Sequence, residues 1–372
     1  MNAYNFTKIC NDTDIHGHSQ ARYSDTEESM LQASTAIGAL AASVPYTLAF
    51  QRYSKKYVFL TAGVVSIAAT VVIPFANDAG FGFFLAARIV QGTSFSTSFP
   101  MVGIVTSSWA SVMEHGIFLS FLTAFSQIGN IFMMPVAGAL CASSLGWHSV
   151  YFLLAAISGV LFALFAFFFF DTPAVHPLIG YKEKAWIAKG REELPQKDDV
   201  RAIPYRSILT SKTIWGVWAA AFADILAIQF VSMFNPQYVN DYLGFSVMNT
   251  GFLSALPVIA QLVFKIGAGV SSDLLKCFNE TMKLRIYNSL ALALSGIFFV
   301  VLAFIPPTQP VWAMILLILA QSFMGFNTAG FNKCATLHSG HHSHFVMIQI
   351  MNIQAICILV EPFIANSIVT DN

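Results

Sequence analysis

Charge is scarce in this sequence. Only 10% of its 372 residues are Asp, Glu, Lys or Arg, where soluble domains carry roughly 25%, so most of the surface faces something other than water. The charge present balances, with 19 acids and 19 bases, which leaves no field to attract nucleic acid. Cysteine is sparse too: Cys10, Cys141, Cys277, Cys334 and Cys357 are scattered and odd in number. They suggest neither a disulfide framework nor a metal site. No Walker motif, dinucleotide fingerprint, nucleophile elbow or pair of catalytic acids occurs, so neither ATP use nor enzymatic chemistry is expected and no cofactor is implied. The run His338-Ser339-Gly340-His341-His342-Ser343-His344 has no carboxylate or cysteine at ligand spacing. It reads as a solvated turn.

Long apolar runs are abundant. Hydropathy marks ten, at 29–50, 57–76, 81–106, 116–141, 148–170, 213–235, 250–272, 285–305, 311–333 and 345–369, each close to the ~20 residues that cross a bilayer. The runs are continuous rather than alternating, which excludes barrel strands. The fold class is therefore all-α, a polytopic membrane protein. Basic residues fall in alternate loops: Arg52, Lys55 and Lys56; then eight between Lys182 and Lys212; then Lys276, Lys283 and Arg285; then Lys333. Positive-inside bias puts those loops in the cytosol and both chain ends outside. The polar leader 1–28 shows no secretory signal and carries two glycosylation acceptors, Asn5 and Asn11. Residues 171–212 form the one long hydrophilic stretch, a cytosolic linker with a short surface helix expected near 182–193. It divides the spans into a bundle over 29–170 and a bundle over 213–372.

Ionisable residues inside spans are costly and mark interior partners or solute pathways. Arg88 lies eight residues into its span, a long reach for snorkelling, so it is expected to meet an interior partner or an anionic solute. Asp224 sits mid-span and is expected to face the bundle interior, either meeting Arg88 or sharing a hydrated cavity with it. Lys265, two turns from Asp273, reads as snorkelling to the cytosolic interface. Glu361, next to Pro362, reads as a cavity residue or part of a helix break. Gln91, Gln127, Asn130, Gln229, Asn235, Gln321 and Asn327 either line a pathway or bond between helices. From this set, Arg88, Gln91 and Asn327 are the candidate substrate residues, and Asp224 and Glu361 the candidate ion-coupling residues.

Several short motifs carry a family resemblance. The turn Gln51-Arg52-Tyr53-Ser54-Lys55-Lys56 and the turn Gly269-Val270-Ser271-Ser272-Asp273 each match pieces of the G-x-x-x-D-R-x-G-R-K turn of the major facilitator superfamily. Arg88-x-x-Gln91-Gly92 with Phe99-Pro100, Pro135-x-x-Gly138, Gly146-Trp147-x-Ser149-Val150-Tyr151-Phe152, Asp171-Thr172-Pro173, Thr250 to Pro257 and Asp371-Asn372 resemble its organic-anion branch. That branch holds sialin, vesicular glutamate transporters and sodium–phosphate cotransporters.

The resemblance implies a two-bundle fold truncated from twelve helices to ten, lacking the first and last. It implies a secondary transporter of a small organic or inorganic anion, coupled to Na⁺ or H⁺. The two halves would rock about a midplane site, in the plasma membrane or a lysosomal or vesicular one. Arg52, Lys55, Lys56, Gly269 and Asp273 would then serve gating or structural roles. The family's arginine on its fourth helix matches Arg88. Its glutamate seven residues later is Phe95 here, its second-helix histidine falls at Gln32, and its seventh-helix arginine falls at Asp224 with reversed charge. A transport-inactive scaffold and an uncoupled anion conductance stay open as alternatives.

Overall fold

The computed structural model describes residue 4 and residues 23–111, 114–141, 143–188, 205–245, 247–306 and 308–369. Asn5, Asn11, Asp371 and Asn372 lie outside the described residues, and no strand occurs among those described. The first half comprises α1 (Asp25–Arg52), α2 (Lys55–Ala79), α3 (Phe81–Phe95), α4 (Ser98–Trp109), α5 (His115–Thr123), α6 (Phe125–Cys141) and α7 (His148–Phe168). Two short helices, α8 (Tyr181–Ala188) and α9 (Tyr205–Thr210), lie in the connecting stretch. The second half comprises α10 (Lys212–Gln237), α11 (Val247–Leu274), α12 (Glu280–Ser289), α13 (Ser295–Leu302), α14 (Pro310–Met324), α15 (Phe331–Ser339) and α16 (Ser343–Val369).

Nine helical stretches among the described residues are long and apolar enough to cross a membrane, some built from two helices end to end, as in His115–Cys141 and Pro310–Ser339. The sequence marks ten. The tenth crossing, 81–109, is made in two pieces that break at Ser96 and Thr97. Pro100 has no N–H to offer the Ser96 carbonyl; at the same turn the Ser96 hydroxyl donates to the Ala39 carbonyl and the Thr97 hydroxyl to the Ser94 carbonyl.

Small residues set the helix spacing inside the first half. A Cβ on Gly38 would strike the Ile89 carbonyl, and one on Gly92 the Thr35 carbonyl, so α1 and α3 cross at near backbone contact. Asp171, at the start of the linker, ties the far end of this half together. It accepts from the Ser54 hydroxyl at 2.7 Å and from the Lys56 backbone N–H at 2.8 Å, which caps the first turn of α2 with a carboxylate.

The halves meet along α1 and α4 against α16, and along α5 and α6 against α11. On the side of the basic loops they are closed. Val102 and Leu119 of the first half share one buried cluster with Val217, Ala221, Phe331 and Met347 of the second. Midway through the bundle, Ala36 and Ala39 pack on Ala355 and Ile358.

One cysteine reading changes. Cys141, at the end of α6 remote from the basic loops, is disulfide-bonded, while Cys277, Cys334 and Cys357 are free. Isolated spacing in the sequence hides a pairing made in space.

Candidate substrate cleft

Asp224 stands twelve residues into α10, about 18 Å along the helix at 1.5 Å per residue. Lys265 stands nine residues from the basic end of α11, about 14 Å along it. Both are buried, at 1% and 4% exposure. Asn327, in the tightened turn that joins α14 to α15, donates to Asp224 Oδ2 at 2.7 Å. Lys265 Nζ reaches across to the first half and donates to the Thr123 carbonyl and to Gln127 Oε1, each at 3.2 Å. Gln127 in turn donates to Gln261 Oε1. Asp224 and Lys265 face the same cavity of about 70 Å³ without forming an ion pair. Phe95, Phe125, Gln229 and Gln354 also line it. These four border a larger cavity of about 290 Å³ too, into which Asn130, Ser232, Gln261 and Gln321 project. The result is a cleft between two apolar bundles that holds two ionisable side chains among a lining of amides.

Arg88 is elsewhere. Its Nε donates to the Leu31 carbonyl at 2.8 Å, and its guanidinium lies 4.6 Å from the centroid of the Tyr4 ring. The buried surroundings are Leu31, Phe84, Ala87 and Tyr151. The structure therefore does not bring Arg88 and Asp224 together. Cation–π and carbonyl contacts within the first half hold the charge instead. Gln91 also leaves the cleft, since its amide donates to Thr70 Oγ1 at 2.8 Å between α2 and α3. Glu361 is buried at 3% but lines a separate apolar cavity of about 420 Å³ with Leu226, Phe230 and Phe299. Of the residues singled out from sequence, Asp224 and Asn327 meet in the cleft. Lys265 joins them, in place of snorkelling to the interface. The signal for it was a second intramembrane charge, opposite in sign to Asp224, on the neighbouring span.

The turn residues sort into two sets. Arg52 ends α1 exposed, while Lys56 lies 4.9 Å from the Phe170 ring centroid. Lys55 is half-buried at the start of α2. Gly269 and Asp273, by contrast, form a built contact between the halves. A Cβ on Gly269 would strike Ser120 Oγ, and one on Gly116 would lie 2.6 Å from Asp273 Oδ1. That approach lets Asp273 accept the backbone N–H groups of Gly116 at 3.1 Å and Ile117 at 2.8 Å, at the positive end of α5.

The sequence of this chain matches the Major Facilitator Superfamily over residues 13–360. The chain belongs to that superfamily. Among curated relatives, human sialin is 27% identical over 83% of this chain and 63% of its own length. Vesicular glutamate transporter 1 of Xenopus tropicalis is 25% identical over 82% of this chain and 53% of its own length. Human sodium-dependent phosphate transport protein 1 is 25% identical over 76% of this chain and 60% of its own length. The matched part of this chain thus spans less than two thirds of each. The fold is that of a solved D-xylose–proton symporter, with a TM-score of 0.68 at 16% identity, covering 97% of this chain and 85% of that one. This superfamily member is a multi-pass integral membrane protein.

Proposed function

We propose that this chain is a secondary active transporter of a small organic or inorganic anion, coupled to Na⁺ or H⁺ and working by rocking of its two halves. The observation that carries the reading is the cleft between the halves, where Asp224 and Lys265 keep opposite charges buried at mid-depth around a shared cavity. Intramembrane charges at the junction of two bundles are what a solute and its coupling ion bind in alternating access. Lys265 faces the anion, and Asp224 serves the cation side of the cycle. The Asp273 contact with the first turn of α5 is the closed gate on the basic side. The names of the relatives, which speak of sialin, glutamate and phosphate, support an anionic group on the solute.

Uptake into proteoliposomes with and without an imposed Na⁺ or H⁺ gradient tests this. Gradient-driven accumulation is expected. A voltage-driven leak without accumulation means a conductance, and absence of flux for every solute tried means a scaffold.

A further inference from the structure

The charges of the cleft cancel. Asp224 and Lys265, which line one cavity, bear formal charges of opposite sign, and a bare anion entering between them without a cation on Asp224 adds an uncompensated charge at the centre of a membrane. A solute carrying both signs adds none. The hydrogen-bonding capacity of the cleft points the same way. In the inner cavity, Asp224 Oδ1, Asn332 Oδ1 and Gln354 Oε1 are buried acceptors with no protein partner. An ionised carboxylate accepts only and satisfies none of them, and phosphate brings at most two P–O–H donors. An ammonium brings three donors. On the donor side, Lys265 gives two of its three protons to Thr123 and Gln127, and Gln261 Nε2 has no partner. Those two groups suit one carboxylate.

We infer that the solute of this cleft is a zwitterion, a small amino acid whose carboxylate faces Lys265 and whose ammonium faces Asp224. The inference rests on reading the cleft as the solute site, and it replaces the bare anion by a carboxylate that carries its own cation, whose ammonium takes the place of a coupling ion at Asp224. The inner cavity of about 70 Å³ takes the ammonium beside Asp224, and the carboxylate sits where that cavity adjoins the larger one, between Lys265 and Gln261. The side chain extends into the adjoining 290 Å³, past Met133, Leu154 and Val258.

The test uses the full chain, purified, and two pairs of probes: L-alanine with L-lactate, and L-phenylalanine with L-3-phenyllactate. Each pair differs by an ammonium against a hydroxyl. Binding is read in detergent by displacement of the tritiated amino acid, and flux is read separately in proteoliposomes. The amino acid of at least one pair is expected to bind about tenfold or more tightly than its 2-hydroxy analogue, the discrimination of a site built to bond the group that is missing. Asp224→Asn is expected to erase that preference, and Lys265→Met to weaken both members of the pair. Equal or tighter binding of the hydroxy acids, no binding of either amino acid, or a preference unchanged in Asp224→Asn would overturn the inference. The wild-type comparison needs no variant to fold. Preference without flux leaves the zwitterion site standing and removes the transport reading. Flux of hydroxy acids or phosphate without preference does the reverse.

Discussion

Lys333 places its ammonium 2.9 Å from the Asp273 carboxylate, and both side chains are buried. The same carboxylate takes two backbone N–H groups from the start of α5, across the boundary between the halves. Lys333 also bonds Ser272 Oγ and approaches Glu280 at 3.3 Å. One residue therefore ties together α11, α15 and the opposite bundle, on the side where the halves are shut.

Asp273→Asn removes the charge and keeps the shape. Removing one partner of a buried pair costs about 3–5 kcal/mol, and here the loss falls on the closed arrangement. A cysteine at Thr336, buried at this face and in contact with His115, is expected to react faster with an impermeant maleimide from the basic side in the Asn variant. Unchanged labelling would mean that Asp273 stabilises its own half and not the gate.

The close crossing of α5 and α11 gives a steric version of that experiment. Gly269→Ala sets a methyl against Ser120 Oγ and the Gly116 carbonyl. Overpacking of this kind costs about 1–3 kcal/mol and is expected to open the same face. Ser120→Gly removes the Oγ contact but leaves the Gly116 carbonyl 2.7 Å from the added methyl, so the double variant is expected to close part-way. A double variant as open as Gly269→Ala alone would place the strain elsewhere.

The spans were legible because bilayer thickness imposes a length that no other force overrides, and basic loops were legible because they recur in alternation. What escaped the sequence depended on contacts far away in the chain. Arg88 as a charge in a span was visible, but Tyr4 and the Leu31 carbonyl, which hold it, come from the leader and from α1. Lys265 has the same side-chain length whether it snorkels or turns inward. Thr123 and Gln127, supplied by the other half, decide the matter. The break at Ser96 likewise needs the Ala39 carbonyl as its acceptor. Asp224 and Asn327 were readable as interior residues, yet only the fold sets Asn327 on the Asp224 carboxylate.

Arg88 now makes a prediction opposite to that of a substrate residue. Arg88→Lys loses the Nε bond to Leu31 and the planar contact with Tyr4, at a cost of about 1–3 kcal/mol. Thermal unfolding in detergent is expected to shift down by several degrees. The KM for solute in the folded fraction is expected to stay within about twofold, since a residue that does not touch the solute gives up no binding energy. A large rise in KM with unchanged stability would return Arg88 to the solute pathway.

Glu361 separates two roles in the same way. Both of its carboxylate oxygens are buried without a hydrogen-bond partner, in a cavity whose other walls are Ala223, Leu226, Ala227, Phe230, Val231, Phe299 and Ile364. A buried polar group without a partner costs about 1–3 kcal/mol, and an apolar residue of similar size removes that cost. Glu361→Met is therefore expected to raise the unfolding temperature by several degrees, whereas Glu361→Gln, still polar and still unpartnered, changes it little. Coupled uptake is expected to persist in both variants, because the cavity lined by Glu361 and the cavity lined by Asp224 and Lys265 have no residue in common among those described. Loss of gradient-driven accumulation in Glu361→Gln, with its unfolding temperature intact, would make this carboxylate part of the ion path. In that case the apolar crevice serves the transport cycle and is more than a gap between α10, α13 and α16.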